Sequence, residues 1–263
     1  MSFTTFEDAQ FAREQLVKGC VKMESLLRGL LDSKGRIAEE VHATRKLGKS
    51  LRGGFTLFGL AKISSPEIQV IGRLLAGPRD AVSRYSTWEK LAWQGGAAAH
   101  AIGALLEQQT HSAARRPPLE TVDWCIERVK SARIPLEALP AAMLEERIVQ
   151  GLKRLEMRVV KRCRILKHGD QEKFHDARKA LKAYLGAIGF LPEGAVLPDP
   201  KLLELPELLG DENDLATLSF WLKSHGFTAE FVPDLWSRLQ NFRQALQKQS
   251  IAEVSILLNS SDL

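Results

Sequence analysis

The chain has 263 residues and only three cysteines, Cys20, Cys125 and Cys163, widely separated and with no CxxC pair. That usage excludes a disulfide framework and a cysteine-based zinc site. No apolar run approaches the ~18 residues of a membrane-spanning helix, so no membrane association is expected. Residues 1–8 lack a basic region followed by an apolar stretch, so we expect no signal peptide and a cytoplasmic location. Runs of alternating apolar and polar residues are missing too, which predicts almost no β-sheet. The 18 aromatic residues include none on the basic helix faces described below. Single-stranded nucleic acid wants stacking platforms, so this weighs against it as a ligand. No helix-turn-helix, zinc-finger or RNP signature suggests specific nucleic-acid recognition, and no GxxxxGK[ST] loop suggests nucleotide binding.

What is present is a globular composition, 44% hydrophobic and 26% charged, with net charge +5. The charge is segregated. Residues 145–182 carry 12 Lys and Arg against 6 Asp and Glu, and residues 1–116 carry 17 against 11, leaving the remainder at net −7. Such segregation points to a basic surface or channel and an anionic partner.

Apolar spacing predicts helices over residues 6–31 and 37–60, a short one before Gly77-Pro78, and a new one starting there. Gly95-Gly96 and Arg115-Arg116-Pro117-Pro118 read as breaks, and residues 135–140, bounded by two prolines, as a hinge. Further helices are expected over residues 119–133, 141–168, 171–190, 201–209, 211–224 and 233–248, with Gly210 between two of them. The fold class is therefore all-α.

Two motifs recur in order. Val41-His-Ala-Thr-Arg-Lys-Leu-Gly-Lys49 matches Phe174-His-Asp-Ala-Arg-Lys-Ala-Leu-Lys182 at an offset of 133, both reading φ-H-x-x-R-K-x-x-K. Leu74-Leu-Ala-Gly-Pro-Arg-Asp80 aligns with Leu208-Leu-Gly-Asp-Glu-Asn-Asp214 at an offset of 134. This argues for duplication of one helical unit, with residues 1–134 as the first repeat and 141–257 as the second.

On a helical wheel His42, Arg45, Lys46, Lys49 and Arg52 fall within an arc of about 120°. That arc contains no acid, and the opposite one carries Val41, Thr44, Leu47, Leu51, Phe55 and Phe58. The second copy places His175, Arg178, Lys179 and Lys182 opposite Phe174, Ala177, Leu181, Tyr184 and Ile188. A third helix lines up Arg147, Arg154, Arg158 and Lys161, with Arg162 at the edge, opposite Ile148, Leu152, Leu155, Val159 and Cys163. Solvated faces usually mix signs, because like charges at i,i+4 cost stability. Unmixed stripes suit a partner with closely spaced negative charges. Lys supplies point charges and Arg supplies forks matched to phosphate oxygens, while Gly53, Gly186 and Gly189 on the same faces would let a thin chain approach. A linear anion without bases fits best.

The duplicated φ-H-x-x-R-K-x-x-K, followed each time by Leu-Leu-x-x-x-x-Asp, resembles the CHAD family, the conserved histidine α-helical domain. The resemblance spans nearly the whole chain as a single domain over residues 1–263. It implies two pseudo-symmetric four-helix bundles around a basic central cavity that binds inorganic polyphosphate. His42, Arg45, Lys46 and Lys49 would line one side, and His175, Arg178, Lys179 and Lys182 the other. Granules of polyphosphate would be the local destination. Arg79 is a candidate direct phosphate contact. Asn213 stands where the second motif would repeat that arginine. Asp80 and Asp214 either orient basic side chains or act as acids at helix N-termini, a capping role that also suits Asp211 and Asn213.

The expected function is non-catalytic binding of polyphosphate, with no cofactor, no metal and no enzyme activity. A phosphohydrolase or phosphotransferase is the alternative. The Glu-x-Glu-x-Lys strand motif of the triphosphatase domains to which family members are often fused is missing, as is a carboxylate cluster for Mg²⁺. A metal site built on His42 and His175 is the third reading, opposed by the cationic neighbours of both. His100, His111, His168 and His225 are expected at helix ends or loops, and the five tryptophans in the core.

Overall fold

The computed structural model describes residues 6–32, 37–113 and 116–259. Expectations for residues 1–5 and for Arg115 lie outside these. The described residues form ten α-helices and one 3₁₀ turn, with no strand. The helices are α1 (Phe6–Asp32), α2 (Ile37–Leu57), α3 (Ser65–Leu74), α4 (Ala76–Leu91), α5 (Ala97–Ala113), α6 (Leu119–Glu137), α7 (Leu144–Arg164), α8 (Gln171–Ile188), α9 (Pro200–Ser224) and α10 (Pro233–Asn259). No described helix is long and apolar enough to cross a membrane.

Local chemistry sets many of the ends. Glu39 and Glu40 occupy the first turn of α2, where the helix dipole favours acids. Its far end closes as a Schellman motif. Leu60 N–H donates to Phe55 O at 2.7 Å and Gly59 N–H to Thr56 O at 3.1 Å, with Gly59 at φ +73°, a left-handed conformation glycine adopts without penalty. Asp170 Oδ1 accepts from Lys173 N–H at the start of α8. Asp199 Oδ1 does the same for Lys201 N–H ahead of α9, whose first residue is Pro200.

Three expectations are corrected. The first half of the expected hinge, 135–137, is helical, because α6 runs on to Glu137, and only 138–140 lie between helices. A proline in a last turn interrupts a single i→i−4 bond. The two helices expected over 201–209 and 211–224 are one continuous helix, α9, which contains Pro206 and Gly210 in its interior. Asp211, Asn213 and Asp214 are therefore mid-helix and cap nothing. Helix α10 also runs eleven residues past its expected end, to Asn259.

The chain divides into two compact units. The first comprises Met1–Ala76, Arg115–Val159 and Ala180–Pro198. In it α1 packs on α2 and α6, and α3 on α2 and α6, burying Leu16, Met23, Leu27, Leu51, Phe55 and Val129. Helices α2 and α8 cross closely at small residues. A methyl at Gly53 would collide with Ala183 O, and one at Gly186 would lie 2.7 Å from Ser50 Cα. The contact is reciprocal, since one offset of 133 relates Ser50 to Ala183 and Gly53 to Gly186.

The second unit comprises Gly77–Ala114, Val160–Lys179 and Asp199–Leu263. Its core joins Trp88, Leu91, Ile102 and Leu106 to Leu218, Trp221, Leu222, Leu235 and Leu239. A buried polar network crosses it. The fully buried Glu212 accepts from Arg243 Nη2 and Gln247 Nε2, each at 2.8 Å. Gln247 Oε1 in turn accepts from Gly169 N–H, in the loop before α8.

Candidate functional site

In the first unit the apolar side of α2 is sealed, with Val41, Thr44, Leu51, Phe55 and Phe58 each 1% exposed or less. The opposite side leaves His42, Lys46, Lys49 and Arg52 exposed and Arg45 half-buried. Arg45 Nη1 donates to Ala76 O at 3.0 Å and Leu75 O at 3.4 Å. Arg52 is exposed as a residue, but partial desolvation of its guanidinium group, then the neighbouring guanidinium groups of Arg158 and Arg73, push its pKa below the ordinary arginine range. Arg73, the basic residue in the last turn of α3, was missed by the sequence reading because it stands alone on its helix.

Helix α7 buries Ile148, Leu152, Leu155, Val159 and Cys163 as the wheel predicts. Arg154 and Arg158 are exposed. Arg154 Nε donates to Gln150 O one turn back. The guanidinium groups of Arg147 and Arg154 flank Gly59 at the C-terminus of α2, where the dipole favours cations. Part of this third stripe thus serves the end of another helix. Lys182, on the later part of α8, is half-buried and has interaction partners.

The glycines have a different task from the one expected. Gly53 and Gly186 are consumed by the α2–α8 crossing and offer no path to a ligand. Gly189 is exposed and lies just beyond α8.

In the second unit Lys161 is exposed and lies in the last turn of α7 together with Arg162 and Arg164. Arg162 pairs with Asp176 at 3.3 Å, and Lys179 lies 3.6 Å from the same carboxylate. Asp176 therefore offsets part of the charge of α8, a contact that one helical wheel cannot reveal because Arg162 belongs to another helix. Lys179 remains exposed, and His175 and Arg178 are half-buried. His175 Nδ1 and Arg178 Nε are buried and find no hydrogen-bond partner among the described residues.

Burial is the main cause that lowers the His175 pKa, followed by Lys179. A hydrogen bond with Asn213 works upward, Arg178 downward and Asp176 upward. The imidazole is therefore neutral near pH 7. Burial also acts against the charge on Arg178, Asp214 and Asp211 favour it, and Arg79 opposes it. This bears out no helix-capping role for Asp214 and leaves it as a carboxylate close to a basic side chain. Arg79 and Asp80 are half-buried on α4 and each has partners. Asp80 also faces Arg84.

Among the described residues no three His, Cys, Asp or Glu side chains converge in a way that could hold a metal ion. The four remaining histidines are exposed, three on helices and turns at the surface and His225 stacked on Trp221 at 4.2 Å. Trp88 and Trp221 are buried, whereas Trp124 is 39% exposed under Arg128.

A family model described as CHAD domain matches residues 22–223 of the chain. No curated protein and no solved structure matches it.

Proposed function

The chain belongs to the CHAD family, and on that premise we propose that it binds inorganic polyphosphate without catalysing its breakdown. The observation that carries this reading is the pair of basic stripes on α2 and α8. Each is set opposite a sealed apolar face; the stripe on α2 concentrates like charge that a solvated helix would dilute, and on α8 Asp176 offsets only part of it. His42, Arg45, Lys46, Lys49, Arg52, Arg154 and Arg158 are the phosphate-facing groups of the first unit, with Lys182. Arg79, Lys161, His175, Arg178 and Lys179 are those of the second, with Asp80 and Asp214 orienting basic neighbours. The reciprocal contacts of Gly53 and Gly186 support an origin of the two stripes by duplication, in repeats 1–134 and 141–257. The compartment that goes with this reading is the cytoplasm, at polyphosphate granules.

Exposed lysines supply the test. Replacing Lys46 and Lys49 with Gln, or Lys179 alone, is expected to weaken polyphosphate binding about tenfold or more, as lost phosphate contacts do, with little change in melting temperature. Equal affinity at matched salt would contradict the assignment. Polyphosphate incubated with the protein and Mg²⁺ is expected to keep its chain length, and shortening would favour the phosphohydrolase instead.

A further inference from the structure

Glycine in a helix interior costs stability relative to alanine, yet α9 carries Gly210 eleven residues into its length, buried. The other side of that position explains it. A methyl there would lie 3.1 Å from Arg178 Nη2, 3.2 Å from Nε and 3.5 Å from Cζ, and no other group is as close. The Nε–Nη2 edge of the Arg178 guanidinium group faces the place where a side chain at 210 would stand.

The aligned first motif solves the same placement differently. Arg45 is the counterpart of Arg178, and Ala76 of Gly210. Arg45 Nη1 reaches Ala76 O and Leu75 O, at the start of α4. Arg178 gains no such acceptors, and its buried Nε has no partner among the described residues. Its counter-charges are the carboxylates of Asp214 and Asp211 on the same helix. The first arginine is satisfied by the protein, and the second is held in place with donor capacity in reserve.

We propose that Gly210 is a positioning residue for the anion site. It seats the Arg178 guanidinium group against α9 and makes Arg178, rather than Arg45, the principal phosphate anchor. This rests on the polyphosphate reading above. Arg is the residue whose fixed fork gains most from a rigid seat, because less freedom is lost per hydrogen bond formed.

The experiment compares wild type, Gly210→Ala, Arg178→Ala and the double variant by thermal melting and by titration with long-chain polyphosphate at one salt concentration. Gly210→Ala is expected to bind about tenfold more weakly, the loss of roughly one charge-assisted contact. In the Arg178→Ala background the same change should leave affinity unaltered and raise the melting temperature, as removal of an interior helical glycine does. A merely structural glycine would not give this coupling of affinity to Arg178. Wild-type affinity in Gly210→Ala, with Arg178→Ala weakened, overturns the seat and leaves the polyphosphate reading standing. So does a melting temperature lowered equally with and without Arg178, since the methyl then conflicts with something else. Arg45→Ala binding more weakly than Arg178→Ala at equal stability overturns the ranking of anchors. No binding by wild type overturns the inference together with the reading beneath it.

Discussion

At the scale of single residues, the proposed site predicts that His175 links polyphosphate binding to pH. Its imidazole is neutral near pH 7 because burial and Lys179 lower its pKa, only partly offset by Asn213 and Asp176. A bound polyanion favours the imidazolium form, so binding takes up a proton and affinity is expected to rise as pH falls from ~8 to ~6. His175→Gln should flatten that slope. Calorimetry in two buffers of different ionisation enthalpy reads the proton directly, and buffer-independent heats would contradict the linkage. The ligand-free protein is expected to show the opposite trend in stability. A folded-state pKa below the unfolded value means that this residue withdraws stability as pH drops through ~6.5.

At the scale of elements, the α2–α8 crossing depends on glycine. Gly53→Ala forces a methyl onto Ala183 O and is expected to cost roughly 1–3 kcal/mol, despite the better helix propensity of alanine. Gly29 in α1 has nothing within 4 Å, and Gly29→Ala should instead stabilise by about 0.5–1 kcal/mol. Denaturant titration of the two variants separates packing from propensity, and equal shifts would contradict the tight crossing. Helix α9 is tied to α10 by the pair of the buried Glu212 and the half-buried Arg243. Arg243→Met leaves Glu212 buried with one partner, Gln247, and should cost about 3–5 kcal/mol. A loss below the melting-curve error would show the pair to be dispensable.

Periodicity made α1, α2 and α8 legible in the sequence, because their apolar residues recur on a single face and acids or glycine mark the ends. Gly210 misled the reading of α9, since a punctuating residue is a local signal and tertiary packing overrode it. The basic stripes were legible for the same reason as the helices. Asp176 was not, because Arg162 meets it from a different helix, and neither was the role of Gly53, because a carbonyl 130 residues away in sequence occupies its missing side chain.

At the scale of the whole molecule, the account rests on charge. A chain of net charge +5 that keeps its basic groups on stripes pays in self-repulsion unless an anion relieves it. The most direct measurement is calorimetric titration of the wild-type chain with long-chain polyphosphate at low and moderate salt, beside heparin, single-stranded DNA and triphosphate. The account predicts tight binding that prefers polyphosphate and falls steeply with salt, as released counterions require. Equal affinity for every polyanion, or none for polyphosphate, would contradict it.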